Sequence, residues 1–205
     1  LAGGAGSGKS YVVRYSTGGT GLRVVNSDDV FEGYLKAAGL SMKMGSEDPR
    51  RDKLRSKAKK TVAGRQANYI EGRIGLVIDG TGKDYDKIRT HKAELESLGY
   101  DTHMIFVNTS IEVALERNAK RDRTVPEDAA ILSWKAVQSN IGKFSSLFRG
   151  TMVIVDNNKP DEDMEMTTFK EIKRLLGKKV KNTRAKQWIE MEMKLRGITK
   201  KPKGW

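Results

Sequence analysis

The chain has 205 residues, of which 37% are hydrophobic and 32% charged, and its formal net charge is +13. This length fits one α/β domain with a sizeable core, and no apolar run approaches the ~20 residues that a transmembrane helix needs. Cysteine is absent and only two histidines occur, which excludes disulfides, argues against a zinc site and fits a cytoplasmic location.

Short apolar segments alternate with helical patterns along the chain, which predicts βαβ units and a parallel sheet. The predicted strands are residues 22–25, 75–78, 102–107 and 151–155. The predicted helices are residues 9–15, 30–38, 49–71, 84–98, 110–121, 127–147, 163–176 and 183–195. In the last helix, Trp188, Met191 and Leu195 share a face, with Ile189 and Met193 beside them, and we expect this stripe to pack on the domain. Gly197 and Pro202 should end the helix.

The most informative segment is residues 3–10, which match the phosphate-binding pattern G-x-x-x-x-G-K-S. Glycines let backbone N–H groups turn toward a phosphate, the lysine can reach the β- and γ-phosphates, and the serine hydroxyl can bind Mg²⁺. The predicted nucleotide-binding residues are Gly3, Gly4, Ala5, Gly6, Ser7, Gly8, Lys9 and Ser10. Such a loop follows a buried strand, and because only Leu1 and Ala2 precede it, we expect most of that strand to be missing from this sequence.

Two acidic residues follow the first predicted strand, in the segment Asn26-Ser27-Asp28-Asp29. Ligands of parallel α/β sheets bind at the carboxyl ends of the strands, so these carboxylates should face the same crevice as the phosphate loop. Asp28 is the candidate base that accepts the proton of an attacking hydroxyl, and Asp29 is a candidate substrate contact. The alternative is that Ser27 or Asp28 only caps the next helix.

Asp79 ends the second predicted strand and is followed by Gly80, Thr81 and Gly82. An acid in this position resembles a Walker B element, which holds Mg²⁺, whereas the Gly-Thr-Gly segment would also suit a substrate. Both metal binding and substrate binding therefore stay open for Asp79, and Thr81 is a candidate substrate contact. The alternative is a polar turn between strand and helix.

Three arginines, Arg117, Arg121 and Arg123, lie at the end of the predicted helix 110–121 and in the turn before Pro126. Residues four apart share a helix face, and cations in a lid can stabilise charge on a transferred phosphoryl group. We predict that Arg121 and Arg123 act in catalysis and that Arg117 and Arg121 contact the nucleotide. The alternative is a solvated basic helix end, which the helix dipole favours.

Positive charge is concentrated near the C-terminus, where residues 178–205 hold ten Lys or Arg against Glu190 and Glu192. Such an excess favours a polyanionic partner, because cations that pair with phosphates release counterions; the alternative is a solubilising tail. We predict a nucleic acid partner and no membrane partner, and the oligomeric state stays open. The basic stretch 50–65 could be a further phosphate track.

These motifs, in this order, make residues 1–160 resemble the polynucleotide kinase and zeta-toxin group of P-loop kinases, and most closely the 5′-kinase domain of bacteriophage polynucleotide kinase. The group has a G-x-x-G-S-G-K-S loop, an Asn-x-Asp-Asp element and an Arg-Asn…Arg…Val-Pro lid, matched here by residues 3–10, 26–29 and 117–126. The resemblance implies a three-layer α/β P-loop kinase fold with a central, mostly parallel sheet and a helical lid. Residues 1–177 would form this domain, and residues 178–205 a basic helical extension.

The resemblance also implies the roles of individual residues. Asp28 corresponds to the general base, Lys9 and Ser10 to the ligands of phosphate and Mg²⁺, and ATP to the donor. Asn157 lies where the last strand of such kinases leads toward the nucleotide base. The chain departs from the group at Val30-Phe31-Glu32, where an arginine commonly holds the phosphate of the substrate.

The missing arginine needs a replacement on the substrate side. The candidates are Arg50, Arg51, Arg55 and Lys57, all in the predicted helix 49–71. Of these, the three arginines are our predicted substrate-binding residues.

Three functions follow from these observations. The leading hypothesis is an ATP- and Mg²⁺-dependent kinase of a nucleic acid hydroxyl, either a 5′ end or a hydroxymethylated base as in phage DNA modification. The second is a zeta-toxin-like kinase of a small acceptor such as a nucleotide sugar. The third, from another class, is a nucleic-acid-binding protein that is gated by nucleotide and transfers no phosphate.

Overall fold

The computed structural model describes residues 1–43, 48–159 and 162–200, with the backbone alone at residue 162. The elements found in these ranges are α1 (Lys9–Thr17), β1 (Arg23–Val25), α2 (Ser27–Ala37), α3 (Arg50–Glu71), β2 (Leu76–Ile78), α4 (Tyr85–Ser97), β3 (Met104–Asn108), α5 (Ile111–Lys120), α6 (Glu127–Gln138), α7 (Ile141–Leu147), β4 (Met152–Asp156), α8 (Glu162–Leu176) and α9 (Thr183–Leu195). Strands alternate with helices, as predicted.

All strand pairs in the described chain are parallel. β1 pairs with β2, and β3 pairs with β4. The first two residues lie between these pairs, because the Leu1 amino group donates to the Ile78 carbonyl at 3.0 Å and the Ala2 amide donates to the Ile105 carbonyl at 2.9 Å. Ala2 also bridges to Phe106 in parallel. The phosphate loop therefore starts from the central position of a parallel sheet, between β2 and β3.

Helices cover both faces of this sheet, which gives three layers. Phe106 and Val107 are adjacent in β3, so their side chains point to opposite faces. Phe106 packs in a buried cluster with Val137 and Phe144 from α6 and α7, whereas Val107 packs with Val12 of α1 and Val155 of β4. The predicted α/β P-loop kinase architecture with a parallel sheet agrees with this arrangement.

Two predicted helices differ from the structure. The helix predicted over 127–147 is two helices, α6 and α7, because the buried Asn140 between them donates its amide to the carbonyls of Gly82 and Lys83, both at 3.1 Å. The helix predicted over 30–38 begins at Ser27 instead, which brings both acids of the Asn-x-Asp-Asp element into its first turn.

The basic helix α9 lies at the edge of the sheet opposite to the phosphate loop. Asn182 donates to the carbonyls of Glu96 and Tyr100, which precede β3, and the guanidinium of Arg73, which precedes β2, stacks on Trp188 at 4.0 Å. The expected packing face is wrong in part, since Ile189 and Met193 are buried, whereas Met191 and Leu195 are exposed. Pro202 and the rest of residues 201–205 lie outside the described residues.

None of the helices in the described ranges combines the length and apolar character that crossing a membrane would require.

Candidate active site

The phosphate loop has the backbone conformation that its glycines predict. Gly6 and Gly8 have φ of 77° and 83°, in the left-handed region that favours glycine, and Gly8 is the N-cap of α1. A Cβ on Gly6 would lie 2.0 Å from the carbonyl oxygen of Ala114, so the loop and α5 pack too closely for any side chain there. Because Gly8 caps α1, the N–H groups of Lys9 and Ser10 in its first turn have no partner inside the helix and are available to a phosphate in the loop.

Side chains from distant segments hold the phosphate loop in place. The buried Asn157 donates from Nδ2 to the Ser7 carbonyl at 2.8 Å, and Arg117 donates to the carbonyls of Asn157 and Asn158 at 2.7 and 3.1 Å. Asn157 and Arg117 thus shape the loop and the turn after β4, while their predicted contacts with nucleotide stay predictions. Trp134 was not predicted, yet its indole donates to the Thr109 carbonyl at 2.9 Å and it packs beside Gly4.

Lys9 lies inside the loop. Its Nζ donates to the carbonyls of Gly3 and Gly4 at 2.8 and 3.1 Å. Burial lowers the pKa of Lys9, and although Asp79 works in the opposite direction, Arg121 adds to the lowering. The ammonium group is therefore held among carbonyl oxygens where an anionic phosphate would compensate the lost hydration.

Asp28 lies in the first turn of α2, but it is not the residue that caps the helix. Asn26 is the N-cap, and its Oδ1 accepts the Asp28 amide at 2.8 Å. The Asp28 carboxylate instead pairs with Arg55 at 2.5 Å and with Arg123 at 3.2 Å. Partial burial would raise the pKa of Asp28, but Arg123 and Arg55 outweigh it and lower that pKa, so the carboxylate is ionised at neutral pH.

Asp79 and Asp29 meet on the amide of Asn26. The Asn26 Nδ2 atom donates to Asp79 Oδ2 and to Asp29 Oδ1, both at 3.0 Å. Burial and nearby carboxylates raise the pKa of Asp29, and burial raises the pKa of Asp79 despite the opposing charge of Lys9. The two predicted strand-end acids therefore face one crevice, beside the phosphate loop.

The oxygen atoms at this point fit Mg²⁺. Asp79 Oδ1 is buried and has no hydrogen-bond partner within the described ranges, and the Ser10 side chain is exposed in the first turn of α1. Mg²⁺ keeps several waters and needs only one or two protein oxygens beside substrate phosphates, so the lack of any cluster of three metal-ligating side chains in the described chain does not disfavour it. Asp79 and Ser10 are thus the residues that could hold this ion.

The lid arginines Arg121 and Arg123 reach the same crevice from the loop that follows α5. Arg123, whose side chain is 13% exposed, pairs with Asp28 and with Glu32 of α2, each at 3.2 Å. The Nε of Arg121 donates to the Arg123 carbonyl, and burial followed by the charge of Arg123 lowers the pKa of Arg121. Glu32, which was not predicted, is the second acid that holds the lid against α2.

The predicted substrate residues are separated by the structure. Arg55 reaches Asp28, and its guanidinium stacks on Phe31 at 5.1 Å. Arg50 is exposed and pairs with Asp48, while Arg51 is buried and donates to the Ser41 carbonyl, so neither is placed beside Asp28. The Arg51 guanidinium is thus bonded to the backbone, and the predicted substrate contacts of Arg50 and Arg51 stay predictions.

Thr81 has an exposed side chain, and its carbonyl accepts the Gly3 amide at 3.1 Å. The Gly-Thr-Gly turn thus joins the phosphate loop to the end of β2. Asn140, missed because it falls inside a helical pattern, fixes the other end of this turn. The predicted contact of Thr81 with a substrate stays a prediction.

Replacing Asp79 with asparagine should make the fold more stable at neutral pH. The raised pKa means that the folded state holds this proton more tightly than the unfolded chain, so the wild-type free energy of unfolding falls as pH rises above the ordinary aspartate pKa. Asp79→Asn removes this loss, and its Tm at pH 7 should exceed that of the wild type, with a smaller difference at pH 4. An unchanged or lower Tm of Asp79→Asn at pH 7 would show that burying the Asp79 carboxylate does not destabilise the fold.

A family model and solved structures are similar to this chain. The zeta toxin family model matches residues 1–165. A solved structure of a candidate kinase from Chloroflexus aurantiacus superposes with a TM-score of 0.54 at 16% identity, covering 85% of this chain and 92% of that one. A deoxyadenosine kinase from M. mycoides, solved with dATP, gives a TM-score of 0.47 at 16% identity, covering 84% and 95%. No curated protein sequence matches the chain.

Proposed function

The chain belongs to the zeta toxin family of P-loop kinase-like phosphotransferases, and from this premise we propose that it transfers the γ-phosphoryl group of ATP to a hydroxyl group of a nucleic acid. The observation that supports the proposal most is the convergence of Lys9, Asp28 and Arg123 at one edge of the sheet, where the charges of Asp28 and Arg123 reach Lys9. A phosphate cradle, an ionised carboxylate and a lid cation are the parts that phosphoryl transfer needs.

The phosphate loop would bind the β- and γ-phosphates of ATP. Its backbone N–H groups and the Lys9 ammonium bind phosphate oxygens, and the ammonium exchanges the carbonyls of Gly3 and Gly4 for these anions. Mg²⁺ bound at Asp79 and Ser10 would neutralise part of the negative charge of the phosphates. Arg121 and Arg123, at the mouth of the crevice, stabilise the charge on the transferred group.

Asp28 would handle the proton of the acceptor. The acceptor oxygen forms a bond to the γ-phosphorus, the bond to the β–γ bridging oxygen breaks, ADP leaves, and the hydroxyl proton passes to the Asp28 carboxylate. Arg55 pairs with Oδ1 of this carboxylate at 2.5 Å, while Arg123 of the lid pairs with Oδ2 at 3.2 Å. Because the group stays ionised at neutral pH, it is ready to accept the proton.

The helix α3 supports a polyanionic acceptor. Arg55 lies beside Asp28, and the same helix carries four exposed lysines, Lys53 before Arg55 and Lys57, Lys59 and Lys60 after it. Arg55 thereby offers, from another element, the cation that the chain lacks after Asp29. The cations of α9 lie at the opposite edge of the sheet, so they would act as a separate contact for nucleic acid rather than as part of the acceptor site.

The second candidate is a small acceptor, such as a nucleotide sugar. The observation that favours it is the family match itself, which is to zeta toxin over residues 1–165, whereas the likeness to phage polynucleotide kinase rests on motifs alone. The same phosphate loop, Asp28 and lid would serve both acceptors. The difference lies in whether the basic face of α3 contributes to acceptor binding.

Labelled ATP separates these functions. We expect transfer to a 5′-hydroxyl oligonucleotide, with an apparent affinity that falls with salt by about 0.7 log units per log unit for each phosphate contacted. Arg55→Met should weaken this transfer, whereas Arg174→Met, which breaks an exposed ion pair with Glu171 on α8, serves as the control. Salt-independent transfer to a nucleotide sugar alone would favour the small acceptor, and oligonucleotide binding without any transfer would overturn the kinase proposal.

A further inference from the structure

The loop that carries the lid arginines is closed by one buried amide. Asn118, in the last turns of α5, is 5% exposed. Its Nδ2 donates to the Val125 carbonyl at 2.7 Å, and its Oδ1 accepts the Val125 amide at 3.1 Å. Both polar atoms of the side chain are therefore hydrogen-bonded to the backbone of a single residue, seven positions further along the chain.

This pair of hydrogen bonds has the geometry of a link across a short loop. Both Asn118 and Val125 are fixed by neighbouring helices, since α5 ends at Lys120 and α6 begins at Glu127. Residues 121–126, which connect the two helices, have no regular secondary structure and include Arg121 and Arg123. The amide thus fixes the two ends of the segment from which the guanidinium groups project, which limits the positions that they can reach.

The contacts of the arginines match this restraint. The Arg121 side chain donates to the Arg123 carbonyl inside the loop, and the Arg123 side chain crosses to Asp28 and Glu32 of α2. A free loop of this length would lose conformational entropy whenever it placed both arginines at once. A loop already closed by Asn118 has lost part of that entropy on folding, which is the advantage of a preorganised site.

We propose that Asn118 is a positioning residue that prearranges Arg121 and Arg123 for phosphoryl transfer. The inference rests on the proposed kinase function, because the two arginines are assigned there to the transferred group. Asn118 itself touches neither substrate in this scheme and acts through the loop. Its loss should therefore lower kcat more than it raises the KM for ATP, since the phosphate loop and Lys9 remain intact.

Two variants of Asn118 weaken its link to Val125 to different degrees. Asn118→Leu removes both hydrogen bonds, whereas Asn118→Asp keeps an acceptor for the Val125 amide and turns a second oxygen toward the Val125 carbonyl. We expect kcat to fall about 10-fold or more in the leucine variant and by less in the aspartate variant, with the KM for ATP within about threefold of the wild type. An unchanged kcat in both variants would overturn the proposal.

Limited trypsin digestion measures how often the loop opens and needs no assay of phosphate transfer. Release of the loop should speed cleavage after Arg121 and Arg123 by about 10-fold in Asn118→Leu, because local opening sets the cleavage rate, while cleavage elsewhere stays at the wild-type rate. Uniformly faster cleavage of the whole chain in both variants would mean that Asn118 only stabilises the fold. Unchanged cleavage after Arg121 and Arg123 would mean that Asn118 does not hold the loop in place. Either result would overturn the proposal.

Asn182 offers a matched control at the opposite edge of the sheet. Asn182→Asp keeps the acceptor that caps α9 and loses two donated hydrogen bonds, to Glu96 at 2.7 Å and to Tyr100 at 3.3 Å. It should leave kcat and cleavage after Arg121 and Arg123 unchanged. The failures are also distinguishable, because a wild-type protein without any transfer refutes the proposed function, whereas the digestion tests the loop on its own.

Discussion

Replacing Asp28 with asparagine should lower kcat for phosphate transfer by about 10²- to 10⁴-fold, the range that general base catalysis supplies. The variant keeps the Asn26 cap and the size of the side chain, so α2 should still form. It loses the ionised oxygens that pair with Arg55 and Arg123 and that would accept the hydroxyl proton. Steady-state rates with labelled ATP and a 5′-hydroxyl oligonucleotide measure the effect.

Glu32→Gln is the matched control for Asp28→Asn. It breaks the other ion pair of Arg123 but leaves the proposed base, so kcat should stay within about 10-fold of the wild type if the proton is what matters. Equal losses in the two variants would mean that Asp28 acts only by holding the lid, and wild-type rates in Asp28→Asn would remove it from the mechanism.

The pH profile gives a second test of Asp28. Its lowered pKa keeps the base ionised through the neutral range, so the rate should decline only when the pH falls below the ordinary range of an aspartate. Arg55→Met removes one of the two cations that lower this pKa, and the acid limb of its kcat/KM profile should move to higher pH. A limb that stays in place would mean that another group titrates.

Replacing Lys9 with methionine should lower kcat/KM for ATP by about 10²- to 10³-fold, as expected when one charged donor to the transferred group is removed. The same change should leave the fold as stable as the wild type or more stable, because burial already disfavours the ammonium form and lowers its pKa. In Lys9→Met, kcat/KM should thus fall while the Tm stays the same or rises. A loss of activity accompanied by a clearly lower Tm would indicate damage to the loop instead.

Lys92 provides the comparison for Lys9. It is another partly buried lysine, 19% exposed, which pairs with Glu96 at 2.6 Å and lies over the ring of Phe148. Since Lys92 belongs to α4, away from the phosphate loop, Lys92→Met should reduce stability and leave kcat/KM unchanged. The two methionine variants together separate loss of a charge at the site from loss of a lysine in general.

Local patterns determined much of this protein in advance. The glycine spacing of residues 3–10 and the lysine that follows it predicted the loop, because the backbone angles seen at Gly6 and Gly8 lie in the left-handed region that favours glycine. Alternating apolar segments predicted the parallel α/β architecture. The positions of Asp29 and Asp79 after strands predicted that their carboxylates would face one crevice, since parallel strands end at one edge of the sheet.

Tertiary packing decided which of several equivalent side chains reached the site. Three arginines near the start of α3 had equal claims by sequence, and only the packing of Phe31, Leu35 and Ala58 between α2 and α3 turned Arg55 toward Asp28 and buried Arg51. The structural hydrogen bonds of Asn118, Asn140 and Asn157 likewise have no signal in the sequence. Their partners are backbone carbonyls 7 to 150 positions away, so no local period could reveal hydrogen bonds that form only after the chain has folded.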